Sequence, residues 1–349
     1  MSERRDERHS RDVSVAPRGR RANLEDPTVL VVMPADSDGV LPPDLQSALA
    51  GRATVVVGRT ANDLRGLRGA ADAILTWRGG NPRPLLQEVG IPPRLQWIHH
   101  SGIGVDQFLF PELVQSAVVI TNMRGGDWYA MPMAEYVFAL MLMFAKRLPE
   151  VAANQRGKRW RRLEGAELRH KTLGVVGLGT IGTAVARLGL AFGMHVLATR
   201  RDVTVGALDG VTLRPADGID EVLAAADFVV LSVPRTPETE GLINADRLRV
   251  MKPTSVLINV GRGRLIDETA VAGALAARRL GAAALDVFQS EPLEASSRLW
   301  TAPNLFVSPH MSAAVQGPSS DEIAGFLENF DRFVRGEPLL RVVNKLGGY

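Results

Sequence analysis

The segment Thr172-Leu-Gly-Val-Val-Gly-Leu-Gly-Thr-Ile-Gly182 limits the folds open to this chain more than any other. It begins as a short apolar run that reads as a buried parallel strand. The run turns directly into Gly177-x-Gly179-x-x-Gly182, and Thr183 to Phe192 reads as a helix. Strand, glycine turn and helix in that order form the context of a dinucleotide-binding fingerprint. Gly177 allows the tight turn, Gly179 lets backbone N–H groups approach a pyrophosphate, and Gly182 lets the helix pack close on the strand. Thr180 and Ile181 lead into the helix, whose free N–H groups and positive dipole end face the anion. A glycine triplet alone would also fit a plain tight turn; the flanking elements select the nucleotide reading.

The chain has 349 residues, enough for two domains each with its own core. A formal charge of +3 is small for this size, so a nucleic-acid partner is not implied. The absence of cysteine removes disulfides, thiolate metal sites and cysteine nucleophiles, and no metal site is expected. No stretch reaches ~18 uninterrupted apolar residues, so no membrane span is expected. The N-terminus lacks an apolar signal core, which favours a cytoplasmic protein. Residues 1–26 carry seven arginines and six acidic residues with almost nothing to bury, and read as a disordered, nearly charge-balanced tail.

From Thr28 strands and helices alternate. Val29 to Met33, Ala53 to Val57, Ala73 to Thr76, Trp97-Ile98 and Val118 to Thr121 are expected strands, with a helix over Pro43 to Gly51. This first α/β unit has no Gly-x-Gly-x-x-Gly of its own. Met131 to Arg147 is expected as a long helix, apolar nearly all round and therefore buried, with Pro132 in its first turn. A second α/β unit covers 172–314, with strands at Leu173 to Gly177, His195 to Thr199, Phe228 to Val233, Ser255 to Val260, Gly281 to Val287 and Leu305 to Ser308. One helix follows Ser319, then a Gly-Glu-Pro turn. The fold class is α/β, two Rossmann-like domains with parallel sheets.

The end of the second strand of the nucleotide unit reads the cofactor's ribose. NAD sites place an acidic residue there. Here Arg200-Arg201 follows the strand, 18 residues after Gly182. A guanidinium pair suits a 2′-phosphate, so NADP is favoured over NAD. The pair also fits a solvated surface, with Asp202 then available as the acid. Three further segments are strands whose C-terminal ends carry polar residues: Met251 to Asp267, with Asn-Val-Gly-Arg-Gly inside it; Ala284-Leu-Asp-Val-Phe-Gln-Ser-Glu-Pro-Leu293; and Asn304-Leu-Phe-Val-Ser-Pro-His310. Ligands in open parallel sheets sit at those ends, so Arg262, Glu291 and His310 can converge.

These segments resemble the D-isomer-specific 2-hydroxyacid dehydrogenase family. Ser101-Gly-Ile-Gly-Val-Asp106, Met133-Ala-Glu135, Trp160 and Val233-Pro-Arg-Thr-Pro-Glu-Thr-Glu-Gly-Leu242 resemble further family motifs in order and spacing, over roughly residues 28–349. The resemblance implies a nucleotide-binding domain, 129–315, inserted into a flavodoxin-like substrate domain, 27–128 with 316–349, and a cleft between them. It implies Arg262 as the clamp on a 2-oxo acid, His310 as general acid and Glu291 as its partner. It gives Gly102, Ile103 and Gly104 the substrate carboxylate, and places Trp77 and Arg78 near the substrate side chain. Arg78 would then favour a second anionic group or be a surface residue. Asp286 would contact the nicotinamide, and Val233, Pro234, Val260 and Gly261 would line the cofactor. Arg264, where a small residue is frequent, is either solvated or adds charge near the cleft. A homodimer through the nucleotide domain is implied. The expected activity is 2-oxo acid reduction, led by glyoxylate or hydroxypyruvate. Oxidation of 3-phosphoglycerate, formate or phosphite, and a dinucleotide-regulated co-regulator, are the alternatives.

Overall fold

A computed structural model of the chain describes residues 24–60, 70–125, 127–204, 208–315 and 320–348. Most of the expected N-terminal tail, residues 1–23, lies outside them. Its last residues belong to the fold. Leu24 packs on the core, and its N–H donates to Val334 O at 3.2 Å.

The described residues fall into two compact units: those up to Gly125 with those from 320 on, and those from 127 to Val315. The first is built on β1 (Thr28–Val32), β2 (Thr54–Gly58), β3 (Ala73–Thr76), β4 (Trp97–His100) and β5 (Val119–Thr121). All pairings are parallel, in the order β2-β1-β3-β4-β5. That is the flavodoxin-like order, with its switch point between β1 and β3. Both faces are covered, as the apolar strands require. Leu30, Val32, Ile74, Ile98 and Ile120 point to one core; Val29, Val31, Ala73, Leu75 and Trp97 point to the other. Helices α1 (Pro43–Leu49), α2 (Arg83–Val89) and α3 (Pro111–Gln115) connect the strands. At the C-terminal end of the chain, Ser320–Val334, here α10, inserts Phe326, Phe330 and Phe333 into the second core, where Trp97 stacks on Phe326.

The second unit holds β6 (Thr172–Val176), β7 (His195–Arg200), β8 (Val211–Pro215), β9 (Phe228–Leu231), β10 (Val256–Asn259), β11 (Ala282–Leu285) and β12 (Leu305–Val307). Their order is β12-β11-β10-β9-β6-β7-β8, again all parallel, with the switch between β6 and β9. Val175, Val196, Val230 and Ile258 face a core with α4 (Asp127–Ala145) and α6 (Thr180–Ala191). Val176, Val229, Leu231 and Leu257 face another with α7 (Ile219–Ala225), α8 (Ala245–Val250) and α9 (Glu268–Ala276). α5 (Leu148–Arg156) follows α4.

Four features differ from expectation. α4 begins at Asp127, so Pro132 lies inside the helix rather than in its first turn. α4 is long and apolar enough to cross a membrane by length and composition, but Ala134, Val137, Phe138 and Met141 are buried and it packs on α6. α6 begins at Thr180, inside the fingerprint, not at Thr183. The strand β8 was not expected: it is the edge of its sheet, none of its residues is buried, and it ends in a proline. Edge strands need no continuous apolar run and tolerate proline.

Candidate active site

The glycine turn leaves β6 at the switch point of the seven-stranded sheet, where ligands of such sheets bind. Its three glycines answer to different constraints. Gly177 has φ +101°, and a Cβ there would stand 2.6 Å from Val233 Cγ1. A Cβ on Gly182 would overlap Gly177 O at 2.0 Å. Gly179, just before α6, has neither a positive φ nor any atom within 4 Å of where its Cβ would lie. The fold therefore does not itself require glycine at 179, and the open space in front of the helix N-terminus fits a pyrophosphate. Thr180 and Ile181 form the half-buried first turn of the helix. Ser232 Oγ donates to Gly177 O at 2.8 Å, fixing the adjacent β9 end, and Thr239 Oγ1 donates to Pro234 O at 2.7 Å, closing the next turn. Val260 is buried, and Gly261 sits so near Leu265 that a Cβ would come within 2.9 Å of its Cδ1.

At the end of β7, Thr199 Oγ1 accepts from Gly177 N–H at 3.2 Å. Arg200 Nη1 donates to Leu178 O at 3.2 Å, which draws this guanidinium over the glycine turn. Arg201 is exposed. Asp202 Oδ1 accepts from the N–H and the hydroxyl of Thr204, and these two hydrogen bonds hold its carboxyl below the usual carboxylate range. Arg264 lies on the surface, 3.4 Å from Glu240, a carboxylate it shares with Arg235.

The polar set of the next strand ends meets in the same unit. Buried Asn259, at the end of β10, donates through Nδ2 to Arg262 O at 2.9 Å and accepts from Gly261 N–H at 3.1 Å. Arg262 Nη1 donates to Gly261 O at 2.7 Å. Glu291 is anchored by Phe288 N–H, which donates to its Oε1 at 2.9 Å, while its Oε2 lies 2.8 Å from His310 Nδ1. This hydrogen bond raises the His310 pKa against the effect of partial burial; the Glu291 charge adds to the rise and Arg262 opposes it. Burial pushes Glu291 up, but bonds from His310 and Phe288 and the Arg262 charge bring it below its ordinary value. With Nδ1 engaged, Nε2 is the ring nitrogen left to deliver a proton. His310 has φ +51°, an uncommon conformation for a non-glycine residue.

Asp286 explains how that conformation is held. It is fully buried. Oδ1 accepts from Ser308 Oγ at 2.7 Å and Met311 N–H at 2.9 Å, Oδ2 accepts from Ser312 N–H at 2.8 Å, and its carbonyl accepts from His310 N–H at 2.8 Å. Tyr136 of α4 reaches Ser308, and burial raises its phenol pKa. The sequence reasoning missed Asn259, Ser308 and Tyr136. Asn259 and Ser308 carry a legible signal, a polar residue ending an apolar strand; Tyr136, inside an apolar helix, carries none.

In the other unit the loop after β4 is shaped by its neighbours. Met123 N–H donates to Gly102 O at 2.9 Å and Asn122 Nδ2 to Ile103 O at 2.6 Å. A Cβ on Gly102 would come within 2.6 Å of His100 Nε2. Among the described residues, the N–H groups of Gly102, Ile103 and Gly104 have no hydrogen-bond acceptor. Trp77 is buried at the end of β3, and Arg78 follows it with φ +45°.

A fingerprinted Rossmann sheet with an Arg, His and Glu set at its strand ends defines a dinucleotide-binding unit equipped for acid–base chemistry. The profile described as D-isomer specific 2-hydroxyacid dehydrogenase, NAD binding domain, matches residues 138–312. A D-3-phosphoglycerate dehydrogenase of Synechocystis is 36% identical over 253 residues, 72% of this chain and 45% of that protein. A glyoxylate/hydroxypyruvate reductase B of Pectobacterium carotovorum is 34% identical over 280 residues, 78% of this chain and 86% of that protein. The crystal structure of an NADPH-dependent glyoxylate/hydroxypyruvate reductase of Sinorhizobium meliloti, with NADP and sulfate, superposes with TM-score 0.77 at 28% identity, over 93% of this chain and all of that one. The chain belongs to the D-isomer specific 2-hydroxyacid dehydrogenase family. It spans about half the length of the phosphoglycerate dehydrogenases it matches.

Proposed function

We propose that the protein is an NAD(P)-dependent reductase of small 2-oxo acids that forms D-2-hydroxy acids, with glyoxylate and hydroxypyruvate as leading substrates. The observation that carries the reading is the 2.8 Å contact of His310 with Glu291, within electrostatic reach of Arg262. A histidine whose pKa a carboxylate raises, with a guanidinium fork nearby, is the equipment for reducing a carbonyl next to a carboxylate. Arg262 orients the 2-oxo acid through its carboxylate and carbonyl oxygen. His310 gives the Nε2 proton to the carbonyl oxygen as that oxygen gains charge, and Glu291 stabilises the imidazolium before transfer. In the other unit, the loop of Gly102, Ile103 and Gly104 offers backbone N–H groups suited to an anion.

Gly177, Gly179, Thr180, Ile181 and Gly182 would hold the pyrophosphate of a nicotinamide dinucleotide, with Val233, Pro234, Val260 and Gly261 along its length. Bound there, that group supplies the hydride. A contact of Asp286 with the carboxamide would use the one lone-pair site its three donors leave open. Arg200 beside Leu178 O, with Arg201 next to it, supports NADP over NAD. Fully exposed Trp160, with Leu148 and Val151 also exposed on the nucleotide unit, supports a homodimer, which sedimentation would check. A cytoplasmic location fits the same metabolic role.

The test of the reading is the initial rate of NADPH and NADH oxidation with glyoxylate, hydroxypyruvate and other 2-oxo acids. Turnover of at least one is expected; turnover of none contradicts it.

A further inference from the structure

Arg262 stands between two glycines, and glycine leaves a backbone free to move. Neither glycine can be exchanged for a stiffer residue. A Cβ on Gly261 would come within 2.9 Å of Leu265 Cδ1 and 3.1 Å of Val233 O. A Cβ on Gly263 would lie 1.9 Å from the carbonyl carbon of Phe288. The turn is therefore pressed against the backbone of Phe288, whose N–H holds Glu291. A turn of this kind needs stiffening from outside, and Asn259 provides it. Its side chain is wholly buried and is used at both ends. Nδ2 donates to Arg262 O at 2.9 Å, and Oδ1 accepts from Gly261 N–H at 3.1 Å. Every soft backbone torsion of Gly261 and Arg262 lies between those two bonds. The Arg262 guanidinium rests on the stretch so bracketed, with Nη1 donating to Gly261 O at 2.7 Å.

We propose that Asn259 is a positioning residue for the substrate, holding the Arg262 guanidinium in a fixed place relative to the Glu291 and His310 pair. The proposal rests on the 2-oxo acid reading and adds the residue on which its clamp depends. A fork that grips a carboxylate and a carbonyl oxygen works in one orientation, and misplacement by ~1 Å can cost ~10²-fold in rate. Asparagine suits the task because one side chain offers both a donor and an acceptor. Aspartate has the same shape but, when ionised, accepts only. An oxygen would then face Arg262 O where the N–H now stands, and the bracket would open. Protonated, the same carboxyl donates again and closes it.

The experiment is kcat/KM for glyoxylate and hydroxypyruvate across pH, with dinucleotide affinity, in the wild type, Asn259→Ala and Asn259→Asp. Asn259→Ala should lose ~10–100-fold in kcat/KM at every pH, while dinucleotide affinity falls much less. Asn259→Asp should show a similar loss at high pH, and its ratio to the wild type should rise as pH falls and the new carboxyl takes up a proton. A residue that only fills space would give no such rise. Wild-type kcat/KM in Asn259→Ala, or losses that merely match the loss of dinucleotide affinity, overturn the proposal with the reductase reading intact. Should Asn259→Ala not fold, Asn259→Asp decides alone, since a ratio to the wild type that is flat in pH overturns the proposal. A wild type that reduces no 2-oxo acid removes that reading and the proposal with it.

Discussion

His310 and Glu291 illustrate how single residues set a working pH. In the proposed mechanism reduction needs His310 protonated, so activity is expected to be lost as pH rises through its pKa. Glu291 raises that pKa by its hydrogen bond and its charge. Glu291→Gln keeps a hydrogen-bond acceptor but removes the charge, so the loss of kcat/KM should move to lower pH. An unmoved pH profile would separate Glu291 from the proton step. Arg200 allows an equally direct test at the ribose end. A charge-assisted bond contributes about 1.5–3 kcal/mol, and ~1.4 kcal/mol is tenfold in affinity. Arg200→Asp should therefore lower the KM-based preference for NADPH over NADH by at least tenfold, with NADH bound no worse. A wild type that prefers NADH, or an unchanged ratio, would return Arg200 to the surface and leave Asp202 as the ribose contact. Asp202 Oδ1 is already engaged by Thr204, which weakens that alternative. The contact of His310 with Glu291 is legible from residue type and position; the donors around Asp286 are not. A carboxylate that clamps a loop from inside leaves no mark in the sequence distinct from one that touches a cofactor.

At the scale of the element, the glycine turn separates folding from binding. Gly182→Ala puts a Cβ 2.0 Å from Gly177 O, a backbone atom that cannot yield without moving the strand or the helix. Overpacking of this kind costs ~1–3 kcal/mol or more, and the thermal midpoint should fall clearly. Gly179→Ala meets nothing within 4 Å, so the fold should be kept while dinucleotide affinity falls. Loss of stability in both variants, or in neither, would show that the two glycines do not divide the work this way; titration of the dinucleotide together with thermal melts reads both. The strands other than β8 are legible to within a residue or two because they are short apolar runs, most of them buried on two faces, as at Val256–Asn259. The edge strand β8 is not, since one open side relaxes the demand for apolar residues. α4 starts earlier than expected because Pro132 sits inside the helix, where proline usually signals a start.

Across the whole molecule, two parallel sheets of five and seven strands, in flavodoxin-like and Rossmann-like orders, agree with the α/β expectation and with family membership. That much is legible because ordered motifs recur over most of the chain. The pairing of Arg78 with Glu322 is not, since it joins residues 244 positions apart that share no motif. The central claim is that the strand ends of the nucleotide unit carry the proton chemistry of a 2-oxo acid reductase. Its most direct test compares kcat for hydroxypyruvate reduction in the wild type and in His310→Ala, with dinucleotide binding measured in both. Loss of general acid catalysis should lower kcat ~10²–10⁴-fold while the dinucleotide still binds. Near-normal turnover in the variant would remove His310 from the mechanism and contradict the account.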